Sequence, residues 1–279
     1  MKLSSFADPK FVIGATCLGI ILLLAVLGNV ISPHGASEQD LLSSLQPPGI
    51  DDSRYYLGTD HLGRDILARM ASGARVSIII ALSVVLVSGV FGVVYGALSG
   101  FWGGTRDVVL QKVVETFWAF PPILLALAIL AFFGQSLGNI ILALSIQRWI
   151  PYSRIARAQA LVLRNREFVA ASQVMGGGTS WVVSRHIVPN LLSAAIVIAT
   201  FSMATAILAE ASLSFLGLGV PPEIPTWGGM LAEGRSYVVG AWWIAVFPGL
   251  GIFLTVLGLN LVGDWLRDLL DPKGDLNLR

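Results

Sequence analysis

Long apolar runs separated by short polar islands organise this chain. A helix that crosses a bilayer needs about 20 mainly apolar residues. Five uncharged runs meet or approach that length: Phe11–Ile31, Val76–Ser99, Phe117–Phe133, Leu191–Leu208 and Tyr237–Val262. A sixth, Leu137–Ala156, is interrupted by Arg148 and Arg154. The pattern predicts an all-α polytopic membrane protein with six transmembrane helices. Composition agrees, since 55% of residues are hydrophobic and 13% charged, far from the soluble balance.

Lys2 and Lys10 precede the first run, no small-x-small cleavage pattern follows it, and it exceeds the apolar core of a signal peptide, so a retained anchor is expected. With the N-terminus inside, twelve Lys and Arg fall on inner segments and five on outer ones, leaving Arg148 in the membrane. That excess predicts both termini inside, with the polar island Glu167–Pro189 on the same side. A net charge of +1 offers no concentrated basic face for nucleic acid. Lone Cys17, inside an apolar run, reads as a small buried residue.

Ser32–Arg75 is too long to be a mere connector. Pro33, Pro47, Pro48, Asp51 and Asp52 make its first half extended and irregular. In its second half, Thr59 or Asp60 is expected to cap a short helix. Asp60–Arg64 and Asp65–Arg69 would be i,i+4 pairs there, and Leu62, Ile66, Leu67 and Met70 would share one face. Pro121-Pro122 should kink or unwind the third span, and Pro248 should soften the sixth. Pro221–Gly229 reads as a rigid outer loop. Leu261, Trp265, Leu266, Leu269 and Leu270 suggest an inner interfacial helix ended by Pro272.

Charged residues near spans are candidate chemistry. Two readings stand for Arg148: it faces a translocation path, pairing with a polar substrate or a partner-subunit carboxylate, or it snorkels to an interface marked by Trp149, Pro151 and Tyr152. Glu210, among Ala209, Ala211, Ser212 and Ser214, favours a packing role over substrate contact. Glu115 suits a helix N-terminus.

The polar island reads Arg166-Glu167-Phe168-Val169-Ala170-Ala171-Ser172-Gln173-Val174-Met175-Gly176-Gly177-Gly178, and continues to Arg185-His186-Ile187-Val188-Pro189. A small-residue helix, a glycine turn and a second helix, Trp181–Val188 capped by Ser180, are expected. The island resembles the "EAA" loop of bacterial ABC-importer permeases, an element that docks into a cleft on the ATPase. Ala170 stands where the motif has glutamate, with Glu167 one turn upstream. The string LGTDHLGRDILARMASGAR (Leu57–Arg75) and the run Leu208–Gly219 resemble the dipeptide/oligopeptide/nickel group of these permeases, on the C-type second subunit.

The resemblance implies a permease of an ATP-driven importer in the bacterial inner membrane. Its partners would be a second permease, two ATPase subunits, an extracytoplasmic substrate-binding protein and membrane lipid. It implies docking through Glu167, Ala170, Ala171, Ser172, Gly176, Gly177, His186 and Pro189, with Arg148 and Glu210 as translocation-path candidates. His186 is expected in a structural hydrogen bond. Residues 1–75 would form the anchor and outer loop, 76–272 the permease domain with its docking loop at about 160–190, and 273–279 a tail. Cargo is expected to be di- or oligopeptide, with a nickel complex or other small solute as the alternative.

The chain has no G-x-x-x-x-G-K-[ST] phosphate loop, so ATP and Mg would sit on the partner ATPases. Its three histidines lack metal-ligand spacing, so no metal, cofactor or catalytic residue is expected on this chain. A membrane enzyme using Glu210 and His186 would need residues expected on opposite faces of the membrane. A channel working without ATPases is the third class.

Overall fold

The computed structural model describes residues 7–49 and 55–270. Its elements are helices α1 (Pro9–Ile31), α2 (Ile66–Trp102), α3 (Gly104–Trp118), α4 (Pro122–Phe133), α5 (Leu137–Leu163), α6 (Glu167–Val174), α7 (Thr179–Val182), α8 (Val188–Phe215), α9 (Trp227–Gly234) and α10 (Trp243–Leu270). A π-helical turn, Val183–Ile187, joins α7 to α8. Among the described residues there is no strand, only an isolated antiparallel bridge between Thr59 and Asp65.

Four helical stretches are long and apolar enough to cross a membrane: Pro9–Gly28, Ile66–Trp102, Thr179–Phe215 and Trp243–Leu270. Helices α3 and α4, bent by 80° at their junction, make a fifth if taken as one broken span. Helix α5 has the length of a span at 27 residues but carries Arg148, Arg154 and Arg157.

The local chemistry explains most boundaries. Pro9 and Pro122 occupy first-turn positions, where a missing N–H costs nothing. Ser136 Oγ accepts from the Asn139 N–H, and Thr226 Oγ1 from the Gly229 N–H, capping α5 and α9. Four expectations need correction. The cap at the loop–span junction is Asp65, which accepts from the Leu67 N–H, and α2 runs unbroken from there to Trp102, leaving no separate short helix. Similarly α10 continues to Leu270 in place of a separate interfacial helix; Pro272 lies outside the described residues. Glu115 stands near the C-terminal end of α3, paired with Lys112 at 2.8 Å, so it is not an N-terminal dipole partner. Gly178, with no side-chain cap, precedes α7, and the expected Trp181–Val188 helix is interrupted by the π turn.

Glycine sets the closest helix contact. Gly92, Gly96 and Gly100 recur every fourth residue of α2, and a Cβ on them would run into the carbonyl oxygens of Trp149, Ser153 and Arg157 on α5. The two helices meet backbone to backbone, the small-xxx-small device of membrane helices. Helices α1 and α10 cross where a Cβ on Gly14 would lie 3.0 Å from the Gly258 carbonyl, and the Phe11 and Trp265 rings stand 4.4 Å apart. Cys17 is buried on α1.

The main core gathers Ile21, Ile66, Ile80, Val84, Ile207, Leu213 and Ile244 around Trp227. Trp227 is fully buried, lies against Gly73 and Gly251, and donates Nε1–H to the Met70 carbonyl at 3.1 Å. Elsewhere large apolar side chains face outward, among them Leu23, Val26 and Val30 on α1, as expected where lipid or another subunit is the solvent.

Candidate functional site

The first candidate region is the island. Helix α6 begins at Glu167, and Gly176 turns the chain with φ +90, a left-handed conformation that glycine adopts without penalty. The Gly177 N–H then closes onto the Ser172 carbonyl at 2.9 Å, and a Cβ on Gly177 would crowd that oxygen. This builds the expected first helix and glycine turn, with α7 and the π turn in place of the expected second helix. At its tip Val174 and Met175 are each 89% exposed, an apolar pair presented outward. Glu167, Ala170, Ala171, Gly176 and Pro189 are exposed as well, while Ser172 is buried beneath them. His186 sits in the π turn against Trp181 (5.1 Å) and Phe168 (5.9 Å). Its Nε2 is buried without a hydrogen-bond partner, so aromatic packing takes the place of the expected bond at that atom.

The second region lies at the α3–α4 break. Carbonyls of Phe117 and Trp118 would be satisfied four residues on by N–H groups that Pro121 and Pro122 lack. Gln147 on α5 supplies a donor to the first of these: its Nε2 gives hydrogen bonds to the carbonyls of Phe117 (2.7 Å) and, further round the turn, Phe120 (2.8 Å). Arg148, the next residue, reaches α8, donating from Nη1 to Thr205 Oγ1 at 2.6 Å and from Nη2 to the Thr205 carbonyl at 2.8 Å. Among the described residues no carboxylate pairs with it. The uncompensated charge suits an anionic group brought by another molecule. Arg148 thus faces into the bundle toward α8; Arg154 instead lies 3.1 Å above the Trp118 ring.

Glu210, the other path candidate, is 2% exposed near the far end of α8, and its Oε1 accepts from Ser214 Oγ at 2.8 Å. Gly228 of α9 seats there so closely that a Cβ would lie 2.5 Å from the Ala211 Cα and 3.1 Å from Glu210 Oε2. That geometry is a helix-packing joint.

A buried ion network escaped the sequence reading. Asp60 accepts from Arg64 Nε at 2.6 Å and lies 3.5 Å from Arg69 Nε. Glu233, on α9, pairs with Arg64 at 2.6 Å and Arg69 at 3.1 Å. The expected Asp60–Arg64 pair therefore forms. The expected Asp65–Arg69 pair is replaced, because the Asp65 carboxylate caps α2 and accepts from Ser32 Oγ. His61, stacked on Tyr237 at 5.3 Å, brings a ring nitrogen near both acids, but the two guanidinium groups already neutralise those carboxylates.

Comparison with known proteins places the chain among transport permeases. The family described as binding-protein-dependent transport system inner membrane component matches residues 92–274, and that of the N-terminal TM domain of oligopeptide transport permease C matches residues 6–48. The chain is 41% identical to the di/tripeptide transport system permease protein DppC of Pseudomonas aeruginosa, over 96% of this chain and 90% of the relative. It is 39% identical to the oligopeptide transport system permease protein OppC of Bacillus subtilis, over 94% and 85%. With the dipeptide transport system permease protein DppC of Bacillus subtilis the identity is 36%, over 93% and 81%.

Proposed function

The chain belongs to the binding-protein-dependent transport system inner membrane component family, and on that premise we propose that it is one of two permeases of an ATP-driven peptide importer. Relatives named for dipeptide and oligopeptide transport support peptide cargo over a nickel complex. In this reading α5 and the broken α3–α4 pair complete six spans, both termini lie inside, residues 76–272 form the permease domain, and 160–190 the docking loop.

The observation that carries the proposal is the exposed knob of α6 and α7, joined without a loop to a membrane-length helix. Val174 and Met175 would enter a cleft on one of two ATPase subunits, flanked by Glu167, Ala170, Ala171, Gly176, Gly177 and Pro189. Ser172 would brace the turn from beneath, and His186 would hold the knob against its aromatic neighbours. ATP and Mg reside on those partners. Closure of the ATPase pair moves the knob, and α8 carries the displacement across the membrane. A state change follows because the nucleotide-bound partner prefers one arrangement, its differential affinity being the driving free energy. On the outer side a substrate-binding protein delivers the peptide. Arg148 meets its carboxylate on the way through, while Glu210 holds the α8–α9 joint beside the path.

The test is gentle detergent purification with mass spectrometry, then ATP-dependent peptide uptake in proteoliposomes. A second permease and ATPases should co-purify, and Met175→Asp should release the ATPases. Repeated recovery of the folded chain alone would sink the proposal.

A further inference from the structure

Gln147 and Arg148, adjacent on α5, grip two different parts of the bundle. Gln147 holds the α3–α4 elbow by two bonds, one to the Phe117 carbonyl, whose i+4 donor is missing at Pro121, and one to the Phe120 carbonyl, and Arg148 holds α8 by two bonds to Thr205. A cavity of about 410 Å³ opens at the elbow, lined by Trp118–Pro122, Gln147 and Pro151. A second, of about 190 Å³, shares Pro122, Gln147 and Pro151 and extends to Arg148, Ala209 and Leu213. Gln147 borders both cavities, and Arg148 joins it on the wall of the second.

We propose that Gln147 is a positioning residue for transport: with Arg148 it forms a linkage through which movement of α8 sets the bend of α3–α4 and so the opening of these cavities to a passing peptide. The proposal rests on the importer reading. Three features fit a linkage better than a static brace. Successive residues of a helix point about 100° apart, so one rotation of α5 acts on both neighbours at once. The segment just beyond the pair is seated backbone-to-backbone on α2 at Trp149 and Ser153, so α5 moves there together with α2. Gln147 Oε1 is buried and accepts no bond, so the amide is held through its N–H groups alone and its withdrawal breaks only the two bonds to the elbow.

The experiment uses the whole transporter, with second permease, ATPases and binding protein, in proteoliposomes. Peptide uptake per ATP hydrolysed is measured for wild type, Gln147→Leu (neither donor nor acceptor), Gln147→Glu (no donor to the carbonyls) and Gln147→Lys (donor kept). The linkage predicts that Leu and Glu lower uptake per ATP by at least about tenfold, within the range of ordinary coupling energies, with hydrolysis retained. Lys should recover most of the loss. Unchanged uptake per ATP in the Leu and Glu variants overturns the linkage and leaves the importer standing. So does a parallel loss of assembly in all three variants, Lys included, since that marks a brace. Wild type without ATP-dependent uptake overturns the importer reading itself.

Discussion

Asp40 holds the first loop by its side chain, accepting from Ser43 Oγ (2.7 Å) and the Leu42 N–H (3.2 Å), while its backbone seats on Gly63, whose φ of +70 and missing Cβ admit it. The Ser43 hydroxyl bond, before the others, holds the carboxyl below its ordinary range. A lowered folded value means the stabilisation is complete above the unfolded value and disappears as pH falls through the folded one. Proteolysis of residues 34–49 should accelerate on acidification in that window. Asp40→Asn should be cleaved faster at neutral pH and lose this part of the acid dependence; an unchanged profile would count against the assignment. Arg148→Leu should impair uptake while leaving assembly intact, and normal uptake would end its role in the path. At this scale the sequence marked Arg148 and Glu210 as unusual because charge in an apolar run is visible locally. It could not show Thr205 or Glu233, which lie 57 and 164 to 169 residues from the arginines they meet.

Helices were legible where one local cause dominates. The apolar runs and the proline pair at 121–122 mark spans and a break, and an 80° bend stands there. Boundaries inferred from charge were less secure: the polar string before Val76 and the mixed one after Val262 read as separate short helices, yet the spans absorb Ile66–Arg75 and run on to Leu270, where α9 and α1 pack along them. Glu233, with Trp227, fastens α9 to the start of α2. Glu233→Ala should leave two buried arginines underpaired and cost about 3 kcal/mol, the low end because Glu233 is 23% exposed. Thermal denaturation of the purified complex reads this, and a shift no larger than that of a surface control would refute it. The glycine spacing on α2 was present in the sequence without a partner to give it meaning. Gly96→Val, which pushes atoms into the Ser153 carbonyl, should cost about 3 kcal/mol or more.

For the molecule as a whole, the three motif strings pointed to the family before any fold was considered, since they combine residue identity with order. What they left open was how the knob is mounted. Counted from Thr179 through Phe215, the second limb of the knob (α7), the π turn and the span form one 37-residue helical stretch, about 55 Å long at 1.5 Å per residue. Ala170 and Glu167 lie on the same exposed helix of the knob, so moving the carboxylate between them is a test at this scale. Ala170→Glu combined with Glu167→Ala should preserve peptide-coupled ATPase activity, and its loss would show that the two positions are not equivalent.

The glycine contact has a kinematic consequence. Two helices separated by side chains can slide, because rotamers absorb the shear; backbone pressed on backbone has no such layer. Helices α2 and α5 therefore count as one body, and the bundle has fewer independent moving parts than it has helices. Any cycle the protein undergoes must be distributed over those of its other joints where side chains still separate the surfaces.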